Sequence, residues 1–252
     1  MKNKTGVQEW AQHSLNLQYT CEYDCRYCYA RKLNKRFNFN PKEPVIKHYN
    51  GVIMFPTMHD ITLNNFDKAA AIIEKLLEYD NKILIVSKMS RLVALRFTDR
   101  FKNNSRKINL EFRITLTHSG IPEKCGIYYY FEKNLPEIAE RIDSMKLLLN
   151  NFKCSISIEP LLDLIVLSDF IEARLKHRNL VIKIENIWVG CLTNYKLNPN
   201  IPEEKTVIEL YKTLPEFYEE YKKYDFIKWK DSFFKAMNRE LKRRHNGNNQ
   251  KI

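Results

Sequence analysis

The sequence predicts an α/β fold, a partial (β/α)6 TIM-like barrel with a C-terminal helical extension, and three observations carry that expectation. Six short runs rich in apolar and β-branched residues alternate with segments of helical period. Neither an internal repeat nor a long Gly/Ser/Pro linker interrupts the alternation. A group of three cysteines follows directly on the first run, and in folds of this kind the chemistry gathers at the C-terminal strand ends. An open doubly wound sheet, built from the same units, is the competing architecture.

The expected strands are "SLNLQY" (14–19), "VIMF" (52–55), "KILIVS" (82–87), "INLEFRITLT" (108–117), "CSISIE" (154–159) and "VIKIENIWVG" (181–190). Between them, 65–79 places Ala69, Ile72, Ile73, Leu76 and Leu77 on one helical face, with Asn64 or Asn65 at the capping position. The segment 135–150 does the same with Leu135, Ile138, Ile142, Met145 and Leu149, opened by Asn134 and Pro136. From about residue 204 the pattern is helical and charged, so the expected division is a core over 1–200 and a basic helical extension over 201–252.

The chain has 252 residues, 44% hydrophobic and 29% charged, enough for one large α/β domain or two small ones. Its polar start lacks the apolar stretch of a secretory signal, and no run reaches the ~18 apolar residues of a membrane span. A cytoplasmic location without membrane attachment is the expectation, and there a tight cysteine group indicates metal or redox chemistry rather than disulfides. Part of the net charge of +12 is concentrated in 235–252, which carries six Lys/Arg against one Glu, and "ARKLNKRF" (30–37) is a second basic cluster. Such an excess favours a polyanionic partner, most simply nucleic acid, although a generally basic surface has the same composition.

Cys21, Cys25 and Cys28 are spaced C-x3-C-x2-C, with Tyr27 and Tyr29 flanking the last. Three thiolates leave one coordination position open, as a catalytic metal centre requires. A tetrahedral zinc would need a fourth ligand, for which His13 or His48 is available, with no spacing that recommends either. The loop "CEYDCRYCYAR" resembles that of the radical S-adenosylmethionine superfamily, specifically its DNA-repair-photolyase-like branch, which includes spore photoproduct lyase. "VIMFPTMHDI" (52–61), "LIVSKMSRL" (84–92) and "EFRITLTH" (111–118) are similar to the second, third and fourth strands of that branch. "SIEPLL" (157–162) and "IENIWVGC" (184–191) look like phage-associated radical S-adenosylmethionine proteins of unassigned activity. The likeness covers roughly residues 5 to 195, and only the cysteine loop and "SIEPLL" are specific motifs.

The resemblance implies a [4Fe–4S] cluster held by Cys21, Cys25 and Cys28, with S-adenosylmethionine chelating the remaining iron. It implies an external one-electron reductant, such as flavodoxin or ferredoxin, and a 5′-deoxyadenosyl radical that abstracts hydrogen from a substrate. Lys88 would pair with the cofactor carboxylate, or stand as a surface lysine at a strand end. Ser87, Thr115 and Thr117 would offer hydroxyls, Thr57 and Asp60 would meet the cofactor from the second strand, and Glu159 would face the cavity as a polar ligand. An alternative for Asp60 is a helix cap. Tyr27 would pack on the cluster or the adenine, and Tyr29 would reach the radical site, with plain core packing as the alternative for either. Spore photoproduct lyase has a hydrogen-donating cysteine after its second strand, whereas "FPTMHD" has none and carries Met58 and His59 there. Cys191, at the end of the sixth strand, is a candidate replacement. Arg141 and Cys154 are read as structural, Cys125 as outside any second cluster, and "IYYYFEK" (127–133) as either a base-stacking surface or an aromatic lid.

Three functions follow: a radical enzyme on nucleic acid or a nucleotide, a radical enzyme on a small metabolite or peptide, and a metal-stapled nucleic-acid-binding protein without catalysis.

Overall fold

The computed structural model describes residues 6–37, 43–119, 125–176, 183–192 and 195–249. After a short 3-10 turn at Gly6–Glu9 come β1 (His13–Ser14), β2 (Asp24–Cys25), α1 (Tyr29–Phe37), β3 (Val52–Met54) and α2 (Phe66–Glu78). The middle of the chain forms β4 (Lys82–Ser87), α3 (Arg91–Phe101), β5 (Leu110–Thr115), α4 (Cys125–Phe131), β6 (Glu132–Lys133) and α5 (Ile138–Leu148). The last part adds β7 (Lys153–Ile158), α6 (Ile165–Leu175), β8 (Ile184–Val189), α7 (Pro202–Lys212), α8 (Leu214–Tyr221), β9 (Ile227–Trp229) and α9 (Asp231–Asn249).

Seven strands pair in parallel in the order β1-β3-β4-β5-β7-β8-β9. The order never reverses, so it lacks the switch point of a doubly wound sheet. Crossovers of one hand then place the helices on one side, and the sheet curls around its other face as a half-barrel. Alternation along the strands shows the two faces. Leu110, Phe112 and Ile114 of β5 and Cys154, Ile156 and Ile158 of β7 join the core under the helices. Arg113, Thr115, Ser155 and Ser157 point the other way, into a polar lumen. There Arg113 donates to Ser155 Oγ (2.8 Å) and Glu111 Oε1 (2.8 Å), between the rings of Trp10 and Trp188 at 5.1 and 4.8 Å.

The helices form where their apolar faces meet this sheet. α2 buries Phe66, Ala69, Ala70, Ile73, Leu76 and Leu77, and α3 buries Val93, Ala94, Phe97 and Phe101. A fully buried side chain of this kind contributes about 1.5–3 kcal/mol. Ser90 caps α3 by accepting the Val93 N–H at 3.4 Å.

Several expectations need correction. The first strand stops at Ser14 rather than reaching 19, because side chains take over its partners. Asn16 Oδ1 accepts the N–H groups of Thr57 (2.8 Å) and Met58 (2.7 Å), and the Leu17 and Gln18 N–H groups face His59 Nε2 at 3.3 Å. The last core strand begins at Ile184, and residues 181–182 of its expected span lie outside the described residues, as do 250–252 of the basic tail. Asn65 does precede α2, but its side chain bonds Thr62 N and Asp60 O instead of capping. Glu137, not Asn134, precedes α5, and Asn134 adopts φ 57°.

The C-terminal part is more than a helical extension. β9 pairs Ile227, Lys228 and Trp229 with Ile187, Trp188 and Val189, and Leu214, Phe217, Ile227 and Phe233 belong to the main core. An unexpected two-stranded pairing of β2 with β6, Asp24 opposite Lys133 and Cys25 opposite Glu132, ties the cysteine loop to the end of α4.

Candidate active site

The cysteine loop is held by main-chain bonds. Arg26 N donates to Phe131 O at 2.9 Å, and Cys28 N donates to Cys25 O at 3.1 Å. Cys25 is buried, while Cys21 and Cys28 are half-buried. All three line one cavity of about 300 Å³ at the C-terminal ends of the strands. Burial first, and Asp60 second, raises the Cys21 thiol pKa, although the Asp60 N–H at 3.4 Å supports a thiolate there. Burial pushes Cys25 up to about 12, with Lys88 pulling the other way. Metal binding is the ordinary means by which such buried thiols are deprotonated.

Among the described residues, no three His, Cys, Asp or Glu side chains converge to hold a single metal ion. A cubane cluster takes each thiolate on a different iron, so its ligands line a cavity without meeting at one point. Three thiols around a cavity fit that arrangement.

The strand ends supply the facing wall. Asp60, which follows β3, is fully engaged by the chain. It accepts the Ser87 hydroxyl, the Lys88 N–H at 3.0 Å and the Ile61 N–H at 3.1 Å. Its role is to fix the end of β4, and Ser87 spends its hydroxyl there too. Lys88 is left half-buried at the cavity, and among the described residues its Nζ has no hydrogen-bond or ion-pair partner. Burial works against its ammonium, but Cys25, Glu132 and Asp60 outweigh it and hold the pKa above the ordinary lysine range. Thr115 lines the cavity, as does Ser157, whose buried Oγ has no hydrogen-bond partner among the described residues.

Thr57 also lines the cavity, with its hydroxyl 2.7 Å from Ser14 Oγ and its carbonyl receiving the Tyr29 hydroxyl at 2.6 Å. Tyr29 thus closes the rim. Tyr27 donates to Glu132 Oε1, and Thr117 donates to the same oxygen at 3.0 Å. Arg141 donates to Glu132 Oε2 at 2.6 Å and to the carbonyls of Pro136 (2.8 Å) and Thr115 (3.2 Å). Thr117 therefore serves this network rather than the cavity. Burial opposes ionisation of Glu132, but Arg141 foremost, then Lys88 and His118, hold its pKa down at about 2.

The opposite side is built by the residues that follow β7 and β8, together with Trp10 and Lys230. Glu159 pairs with Lys230 at 2.6 Å and accepts from Ser232 Oγ at 3.2 Å. Lys230 is only 2% exposed and lies 3.8 Å from the centroid of the Trp10 ring. Gly190 gives these side chains room, because a Cβ would come within 2.6 Å of Ser232 Oγ and 2.8 Å of Glu159 Oε1 and would displace one of them. Cys191 is 1% exposed and lines the cavity beside Tyr211, whose hydroxyl receives the Leu192 N–H at 2.7 Å.

The structure thus gathers around one cavity the cysteines 21, 25 and 28 with Tyr27, Tyr29, Thr57, Asp60, Ser87, Lys88, Thr115, Glu159 and Cys191. Sequence reasoning missed Glu132, Lys230 and Trp10, and it read Arg141 as structural without its partner. A Glu immediately after an aromatic run, at 128–132, was the available signal for Glu132. Cys154 lies buried on the helix side, away from the cavity. No helix among the described residues is long and apolar enough to cross a membrane. No protein-family model, no curated protein and no solved structure matches this chain, so the functional reading rests on the site itself.

Proposed function

We propose that the protein is a radical S-adenosylmethionine enzyme acting on nucleic acid or a nucleotide. The carrying observation is the wall of one cavity, where three cysteine thiols share the lining with a lysine ammonium whose Nζ makes no hydrogen bond or ion pair among the described residues. When bound, a [4Fe–4S] cluster with S-adenosylmethionine supplies reductive C–S cleavage and a carbon-centred radical for hydrogen abstraction. The chain's own part is placement. Cys21, Cys25 and Cys28 would hold the cluster. Lys88 would accept the cofactor carboxylate as a point charge, oriented by the Asp60 grip on its backbone. Ser157 Oγ and the Thr115 side chain offer further polar contacts. Tyr29, Trp10 and the Glu159–Lys230 pair restrict water and stray hydrogen donors around the reacting centre. The net charge of +12 supports the polyanionic substrate class.

Anaerobic reconstitution with iron and sulfide should load about four iron atoms per chain. Reduction in the presence of S-adenosylmethionine should then yield 5′-deoxyadenosine, and the yield should rise when DNA, RNA or nucleotides are added in turn. Cys21→Ala, Cys25→Ala and Cys28→Ala should each abolish both. Protein that retains no iron, or that loads iron and leaves the cofactor intact under strong reductant, overturns the reading.

A further inference from the structure

The cysteine loop carries on its outer side a second constellation that the cavity does not use. Arg26, between Cys25 and Cys28, is exposed, and its guanidinium carbon lies 4.0 Å from the centroid of the Tyr130 ring. Lys32, on α1, holds its ammonium 5.0 Å from the centroid of the Tyr195 ring. The two tyrosines belong to different parts of the chain, yet both hydroxyls donate to one carboxylate oxygen, Glu204 Oε1, at 2.5 and 2.6 Å. Glu204 is 2% exposed, and its other oxygen accepts the Asn198 N–H at 2.6 Å. A buried carboxylate therefore clamps two aromatic rings in place, and each ring carries a cation. Around them, α1 adds Lys35 and Arg36 to Lys32 and has no acidic residue of its own, its Arg31 being paired with Asp24, and Tyr129 is 65% exposed.

We infer that this cation–aromatic platform binds single-stranded nucleic acid beside the mouth of the cavity. The inference deepens the proposed function, on which it rests for the identity of the reaction. A guanidinium seated on an aromatic ring offers its outer face to a base, and exposed tyrosine offers another stacking surface. The cations of α1 add positive charge beside the rings, which supplies salt-dependent affinity without sequence demand. Duplex bases are unavailable for stacking, so unpaired strands are selected. A purely ionic partner, such as an acidic protein, would use the cations and leave the aromatic rings without a role.

The test is binding of a fluorescent oligo-dT or oligo-U strand to the full chain, followed by anisotropy across a salt series. Arg26→Ala and Lys32→Ala, both at exposed positions that leave the fold intact, should each weaken binding about 5- to 10-fold and flatten the salt dependence. Tyr129→Ala should weaken it about 5-fold. The paired removal of Lys82 and Lys153, exposed at the N-terminal ends of β4 and β7 on the far side of the sheet, should change it less than 2-fold. A duplex of equal length should bind at least 10-fold more weakly. Equal losses in the near and far variants, or loss with Arg26 and Lys32 but none with Tyr129, would overturn the inference, the second in favour of an acidic protein partner. Strand binding without 5′-deoxyadenosine formation leaves the platform standing and removes the radical chemistry. Cofactor cleavage without strand binding does the reverse.

Discussion

Arg141 and Glu132 form the most consequential side-chain pair in the molecule, since both are nearly inaccessible to water and Glu132 also anchors Tyr27 and Thr117. Removing one member strands the other charge, and that costs more than the pair itself contributes. Arg141→Ala should lower unfolding free energy by about 3–5 kcal/mol in urea titration. Combining Arg141→Met with Glu132→Gln should cost clearly less than the sum of the single changes, and strict additivity would show the two to be independent. His118, stacked on Tyr128 with ring centroids 3.5 Å apart, gives a pH dependence. Burial foremost lowers its pKa from 6.5 to about 4, against the pull of Glu132 and Asp163 and with the help of Arg141. The folded protein keeps this ring neutral, so above pH 6.5 its contribution is intact. As pH falls from 6.5 toward 4, the unfolded chain takes up a proton that the folded one refuses, and stability drops by up to about 3 kcal/mol. Stability curves measured between pH 7 and 4 should flatten in this window in His118→Gln. Single residues were also where the sequence was hardest to read. The three cysteines were legible because their spacing alone implies shared chemistry. Glu132 was not, because its partners Arg141, Tyr27 and Thr117 are brought to it by three separate elements.

At the scale of elements, the longer central strands were readable and the short edges were not. β4, β5 and β7 each have six residues with a buried alternate face, and such patterns stand out in a sequence. β1 and β9 have two and three residues, too few for periodicity to register. β9 is also flanked by charged helical segments that mask it. The aromatic run 127–133 divided by geometry, since Tyr128 turns inward to Asp163, Tyr129 outward, and Tyr130 to Glu204. β9 and the start of α9 carry a prediction of their own. Phe233 is fully buried beside Trp229 and Tyr218, with ring centroids 4.5 and 6.1 Å away. Phe233→Ala should destabilise the whole chain by about 3–5 kcal/mol in one cooperative transition. A separate, early transition confined to the C-terminal part would instead mark 201–252 as an independent unit.

Over the whole molecule, an incomplete barrel has two edges, β1 and β9, and something must cover the gap between them. Residues from both chain ends do so. Glu9 accepts the Asp231 N–H at 3.0 Å, and Trp10 lies against Lys230 on one side and Arg113 on the other. The general α/β plan was visible in the alternation of periods, but this clasp was not, because it joins residues more than two hundred positions apart. Its consequence concerns how the protein is made. The three thiols leave the ribosome well before Lys230, which completes the opposite wall and lies far along the chain from them. A growing chain therefore carries its thiols through that interval in a half-built chamber open to water and oxidants. The chamber closes only once residues 230–231 have been made and have met Trp10 and Glu9.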